Sequence, residues 1–106
     1  MSEAPNLKYL DKLAGDDIEF RQKFIDILKE EFPDEQEEYN NNVGNMNYRE
    51  ASENVHKIKH KLNILGLDES HSLAVRYEFE LRNGANSLAE QFQAILKNVE
   101  NYLNTI

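Results

Sequence analysis

The chain of 106 residues has no cysteine and no tryptophan, two prolines and four glycines. Without thiols there is no disulfide, no thiolate metal centre and no cysteine nucleophile, and no oxidising compartment is required. So little glycine and proline argues against an all-β fold, which needs many tight turns. No apolar run approaches the ~18 residues of a membrane span, and the N-terminus carries no signal-peptide pattern, so neither membrane insertion nor export is expected. Positive charge is also short. Twelve Lys and Arg stand against twenty Asp and Glu, a net charge of −8. Nucleic acid, whose phosphates need a basic surface, is therefore not an expected partner. There is no internal repeat, no low-complexity tract and no glycine-rich phosphate loop.

What is present is helical periodicity. Apolar residues make up 40% and charged residues 30% of the chain, which suits one domain over residues 1–106. A short first helix is expected over Pro5 to Ala14, with Leu7, Leu10 and Leu13 on one side and Gly15 at its end. Asp16 and Asp17 are placed to cap the second helix. That helix carries Phe20, Phe24, Ile27, Leu28 and Phe32, and its stripe resumes after Pro33 at Gln36, Tyr39 and Val43. One long helix kinked at Pro33 is expected, followed by a connection over Asn40 to Asn47. Asn47 with Glu50 has the spacing of a capping box for the third helix. Its seam is Ala51, Val55, Ile58, Leu62 and Leu65, and Gly66 ends it. Asp68 is placed to cap the fourth helix, with seam Leu67, Ser70, Ala74, Tyr77 and Leu81. Ser87 with Glu90 gives a second capping box, and Leu88, Phe92, Ile95, Val99, Leu103 and Ile106 form the last seam. The fold class is all-α: an antiparallel four-helix bundle with a short N-terminal capping helix. Phe20, Phe24, Phe32 and Phe92 read as core.

The chemistry gathers on the third helix. The window from His56 to Lys61 holds three lysines, two histidines and no acid, a basic island on an acidic chain. His56 sits one residue off the buried seam, within reach of water. An exposed imidazole is a nucleophile near neutral pH. A phosphoryl group on it would be partly neutralised by Lys59, one turn on. Pairing across the short turn at Gly66-Leu67 puts His56 level with Tyr77 and Glu78, and His71 level with Asn63. Glu78 so placed would hold one ring nitrogen and leave the other free to attack. Tyr77 would be a half-buried wall beside it, and the acids from Asp34 to Glu38 a solvated face able to steer binding.

These residues resemble the signature of histidine-containing phosphotransfer (HPt) domains of bacterial multi-step two-component phosphorelays. In that pattern the acceptor histidine is followed at +3 by lysine and at +10 by glycine. Here Lys59 and Gly66 follow His56, and the +22 position, often Gln or Glu, is Glu78. The resemblance extends over the whole chain through helix order and the Gly15-Asp16-Asp17 start. It implies a phosphoryl carrier without turnover of its own. His56 would be the phosphoacceptor, Lys59 would stabilise phosphoryl charge, and Glu78 would orient the imidazole. It also implies response-regulator receiver domains as partners, with a hybrid sensor histidine kinase upstream. Mg²⁺ would come from the receiver, and the chain would hold no cofactor or metal of its own. A cytoplasmic monomer is the expected state. Docking would use Ser52, Val55 and Lys59, with residues near Leu10 and Leu13. One position departs from the pattern: the usual +4 glycine is His60, which either crowds the partner or adds a donor to the phosphoryl group.

Two other readings fit parts of the pattern. His56 and His60 are i and i+4, a spacing that suits a metal ligand pair, with His71 and Glu78 approaching from the next helix. The neighbouring lysines oppose it. A docking or adaptor bundle that is never phosphorylated would place His56, His60 and His71 as ordinary surface residues.

Overall fold

Five α-helices form the regular structure of the computed structural model, which describes residues 3–106. They are α1 (Lys8–Ala14), α2 (Ile18–Gly44), α3 (Tyr48–Ile64), α4 (Asp68–Arg82) and α5 (Ala89–Leu103). α3 packs between α2 and α4, α5 closes against α4 and α2, and α1 lies along α2. The bonds between helices fix their directions. Asn42 and Glu38 of α2 bond Asn54 of α3, whereas Glu35, earlier in α2, meets Lys61, later in α3. α2 and α5 also run in opposite senses: Asn40 meets Gln93, and Lys29 reaches the carbonyl of Ile106.

The expected seams of α3 and α4 are buried along their whole length, including Ser70. α5 buries Phe92, Val99 and Leu103, together with Leu96; Leu88, Ile95 and Ile106 are only partly covered. α2 differs from expectation. Its buried stripe is Ile25, Leu28, Phe32 and Tyr39, while Phe20 and Ile27 are exposed and Phe24 is partly covered. At 100° per residue, Phe20 and Ile27 stand roughly 120–140° round the helix from Phe32. They face solvent while Phe32 faces the core. Tyr77 is fully buried rather than a half-buried wall. Its ring lies against Tyr39 and Phe92, and its hydroxyl bonds that of Tyr39 at 2.6 Å and the side chain of Asn86. Burial pushes both phenols upward, so the network stays neutral and satisfied inside the core.

α2 runs as one helix through Pro33, as expected, but other boundaries differ. The helix takes in Asn40 to Gly44, so the connection shrinks to residues 45–47. Two of these asparagines are engaged by neighbouring helices. Asn42 donates to Asn54 at 2.6 Å, and Asn40 accepts from Gln93 at 2.7 Å. α1 begins at Lys8 rather than Pro5. The backbone N–H of Asn6 instead bonds the carbonyl of Leu65, and its side chain accepts from the Lys8 N–H. Asp17 caps α2 as expected, accepting from the Phe20 N–H at 2.9 Å. Neither expected capping box forms, and Asp68 is the first residue of α4 rather than its cap. Carboxylates from outside each helix do the capping of α4 and α5. Glu3 accepts from the N–H groups of Glu69 and Ser70. Glu80 accepts from the Leu88 N–H and the Ser87 hydroxyl.

The α3–α4 turn sets the register of the two helices. Gly66 has φ of +74°, and a Cβ there would lie 2.6 Å from the Asn6 side chain. Gly66→Ala is expected to cost about 1–3 kcal/mol in urea unfolding, from left-handed backbone plus this clash. In an Asn6→Ala background the cost should fall to about 1 kcal/mol, the backbone part alone. An equal cost in both backgrounds would show that Asn6 does not press on the turn.

Candidate functional site

The site lies where α3 meets α4. α3 presents its buried seam to the core, so the next residue round the helix, His56, comes out at the edge. α4 runs back along it from the Gly66 turn and brings Glu78 to the same level. The carboxylate of Glu78 is almost buried, with its side chain 6% exposed. Its Oε2 accepts from His56 Nδ1 at 3.0 Å and from Arg82 Nη2 at 2.7 Å. Its Oε1 accepts from Lys59 Nζ at 2.8 Å. Three nitrogen donors thus converge on one carboxylate.

This arrangement sets the state of the imidazole. Two charged donors keep Glu78 ionised, and an ionised carboxylate is acceptor-only, so the proton of the contact sits on Nδ1. In the neutral ring Nε2 then carries the lone pair. The His56 side chain is 49% exposed, which leaves it open to a partner. Burial alone would raise the carboxyl of Glu78, but the bonds and charges of Lys59 and His56 outweigh it and hold it below the usual carboxylate range. Glu78 with Lys59 and Arg82 leaves one net positive charge beside His56, on a chain whose net charge is −8.

Of the residues expected at the site, the structure joins His56, Lys59 and Glu78 directly. His60 is exposed, its ring edge-on to that of His56 with centroids 5.0 Å apart and planes at 89°. His71 is partly buried on α4 and makes no hydrogen bond or ion pair with the group among the described residues. Two expected docking residues are not on the surface. Ser52 and Val55 are buried, and the Ser52 hydroxyl is spent on the carbonyl of Arg49. Leu10 is core, while Leu13 and Tyr9 are about half exposed. Exposed apolar surface beside the site comes instead from Val75 and Phe79 of α4, which flank Glu78 one turn apart. Arg82 was not foreseen. Its signal was available, since it lies four residues after Glu78, a spacing at which opposite charges on a helix meet. Lys61 turns the other way, into Glu31 and Glu35 of α2 at 3.0 and 2.9 Å.

No family model, curated protein or solved structure matches the chain. The chemistry of the site rests on its geometry.

The depressed Glu78 carboxyl has a consequence for stability. Its folded form titrates below its unfolded form, near 4.3 for a free glutamate. Its contribution is therefore complete above that range and is lost as pH falls through the folded value. Glu78→Gln strands Lys59 and Arg82 and should cost about 1–3 kcal/mol at pH 7. Urea unfolding of both proteins at pH 7 and pH 3 should show this gap closing at the lower pH. A gap independent of pH would mean that packing, not charge, is what the substitution removes.

Proposed function

We propose that this chain is a phosphoryl carrier of a two-component phosphorelay, a histidine-containing phosphotransfer domain. It accepts a phosphoryl group on His56 from the aspartyl phosphate of a receiver domain and passes it to the aspartate of another. The observation that carries this reading is the single-sided commitment of His56: Nδ1 is bound to a buried carboxylate, and Nε2 is left to an exposed face. The helical fold and the location of the site on one helix pair agree with it.

In the transfer, the Nε2 lone pair forms the N–P bond as the P–O bond to the receiver aspartate breaks, and the aspartate leaves as its carboxylate. The receiver brings the Mg²⁺ that neutralises phosphoryl oxygens in transit. The ring gains positive character as it attacks, and Glu78 stabilises that charge through the Nδ1 proton. The same contact keeps the phosphorylated ring close to its cationic, reactive form, which suits a carrier that must release its load. Val75 and Phe79 supply apolar surface for a receiver to dock on. The carrier would work as a monomer in the cytoplasm, fed by a hybrid sensor histidine kinase, with no turnover of its own. A docking-only bundle gives no role to the buried ion cluster behind His56. A metal centre is disfavoured because Glu78, the nearest carboxylate, is already saturated by Lys59 and Arg82.

Incubation with a phosphorylated receiver and Mg²⁺, read by intact mass, tests the proposal. One acid-labile phosphoryl group should appear on the wild type and be absent from His56→Gln. Glu78→Gln should be labelled on the order of tenfold more slowly, the equivalent of about 1.4 kcal/mol of lost ring-cation stabilisation. Label that persists in His56→Gln sinks the assignment.

A further inference from the structure

We propose that His60 is the phosphoryl-binding partner of His56. In its imidazolium form it would donate a hydrogen bond to a phosphoryl oxygen on Nε2, so that acquisition of the group depends on pH through His60. This deepens the phosphoryl-acceptor reading above and rests on it.

The geometry points to His60 by what the other donors are already doing. The ammonium of Lys59 is turned inward, 2.8 Å from Glu78 Oε1, with its side chain 17% exposed. Arg82 is bound to the other oxygen of the same carboxylate. Pulling either cation out to a phosphoryl group would uncover a nearly buried carboxylate, which is costly. Ser52, one turn before His56, has its hydroxyl on a backbone carbonyl. His60 has no such commitment: it is exposed, one turn after His56, and its ring stands across the edge of the acceptor ring at 5.0 Å. The 5.0 Å between the two rings is short enough for a donor on His60 to meet a phosphoryl group carried by the His56 ring.

The other charges near the pair are few. α3 itself adds Glu53 and Lys57, both exposed. α4 adds Glu78 and Arg82, already joined to each other. The acids that α2 brings to α3 are taken on its far side: Glu31 and Glu35 by Lys61, and Glu38 by Asn54. No carboxylate is bonded to His60 among the described residues. A phosphoryl dianion would be its first anionic partner. Charge-assisted bonds to phosphoryl oxygens are about twice as strong as neutral ones, and imidazole is the side chain that gains or loses this ability around neutral pH.

The test uses phosphoramidate, so that no receiver is needed. Nε2 forms the N–P bond as the P–N bond of N-protonated phosphoramidate breaks and ammonia leaves. Label is followed by intact mass and ³¹P spectra between pH 5.5 and 8.5, on the full chain. The variants are His60→Gln, His60→Lys and His71→Gln, with His56→Gln to locate the label. Each rate is divided by the neutral fraction of His56 measured in the same protein by NMR of its ring, so that the ratio of wild type to His60→Gln reports contact with the phosphoryl group and not a change in the acceptor. This ratio should be about 10 at pH 5.5 to 6 and fall towards 1 by pH 8.5, as expected for one charge-assisted bond. His60→Lys, a permanent cation, should keep the advantage across the range, and His71→Gln should match wild type. A ratio that is flat with pH, or a His60→Lys protein no faster than His60→Gln, overturns the role of His60 and leaves His56 as acceptor. Absence of label from wild type overturns both readings. Label lost in His60→Gln but kept in His56→Gln also overturns both, because it makes His60 the acceptor.

Discussion

A carboxylate with its side chain 6% exposed and three nitrogen donors around it is the contact on which the site depends. Burying a charge is expensive, and Glu78 tolerates it because Lys59 and Arg82 neutralise it and three donors bond its two oxygens. Its position is in turn set by the α3–α4 turn. Gly66 adopts a backbone that other residues resist, and the Asn6 side chain occupies the space a Cβ there would need. A shift of one residue in that register would rotate Glu78 away from His56 by about 100°. The orientation of the imidazole is therefore a property of the hairpin, not of the histidine helix alone.

Behind the site the core contains a second polar device. Tyr39, Tyr77 and Asn86 link α2, α4 and the α4–α5 connection through hydroxyls in a region otherwise filled by hydrocarbon. Tyr77 immediately precedes Glu78 and points inward where Glu78 lies at the edge. One residue fixes α4 in the core and the next fixes the imidazole. Rotation of α4 about its axis would break both sets of bonds together.

Much of this was legible in the chain. The seam from Ala51 to Leu65 is buried at every predicted position, because a 4-3-4-3 spacing leaves one face for the core. Counting across the Gly66 turn brought His56 to Glu78, since a tight antiparallel hairpin has little freedom of register. The failures have physical causes. α2 has more apolar residues than one stripe can bury, and periodicity alone could not tell that Ile25 is inside while Phe20 and Ile27 are not. Asn40 to Gly44 looked like a connection because asparagine usually competes with its own backbone; here neighbouring helices occupy the side chains of Asn40 and Asn42. At α5 the box of Ser87 and Glu90 gives way to Glu80 of the preceding helix, which takes the Ser87 hydroxyl and the Leu88 N–H, and at α4 Glu3 takes the place expected for Asp68. Val55 belongs to the seam that spacing assigns to the core and so was not available for docking; the burial of Ser52, one residue off that seam, follows from how closely α3 is enclosed between α2 and α4.

The borrowed caps bear on how the bundle assembles. α4 takes its capping carboxylate from Glu3, more than sixty residues away, and α5 takes its own from the helix before it. Neither helix closes its first turn with a side chain of its own N-cap residue. For α4 the first turn is thus tied to a segment more than sixty residues away, and a contribution normally made locally at a helix start comes from the far end of the chain. Loosening the N-terminal segment at Glu3 would be felt at the beginning of the helix that carries Glu78.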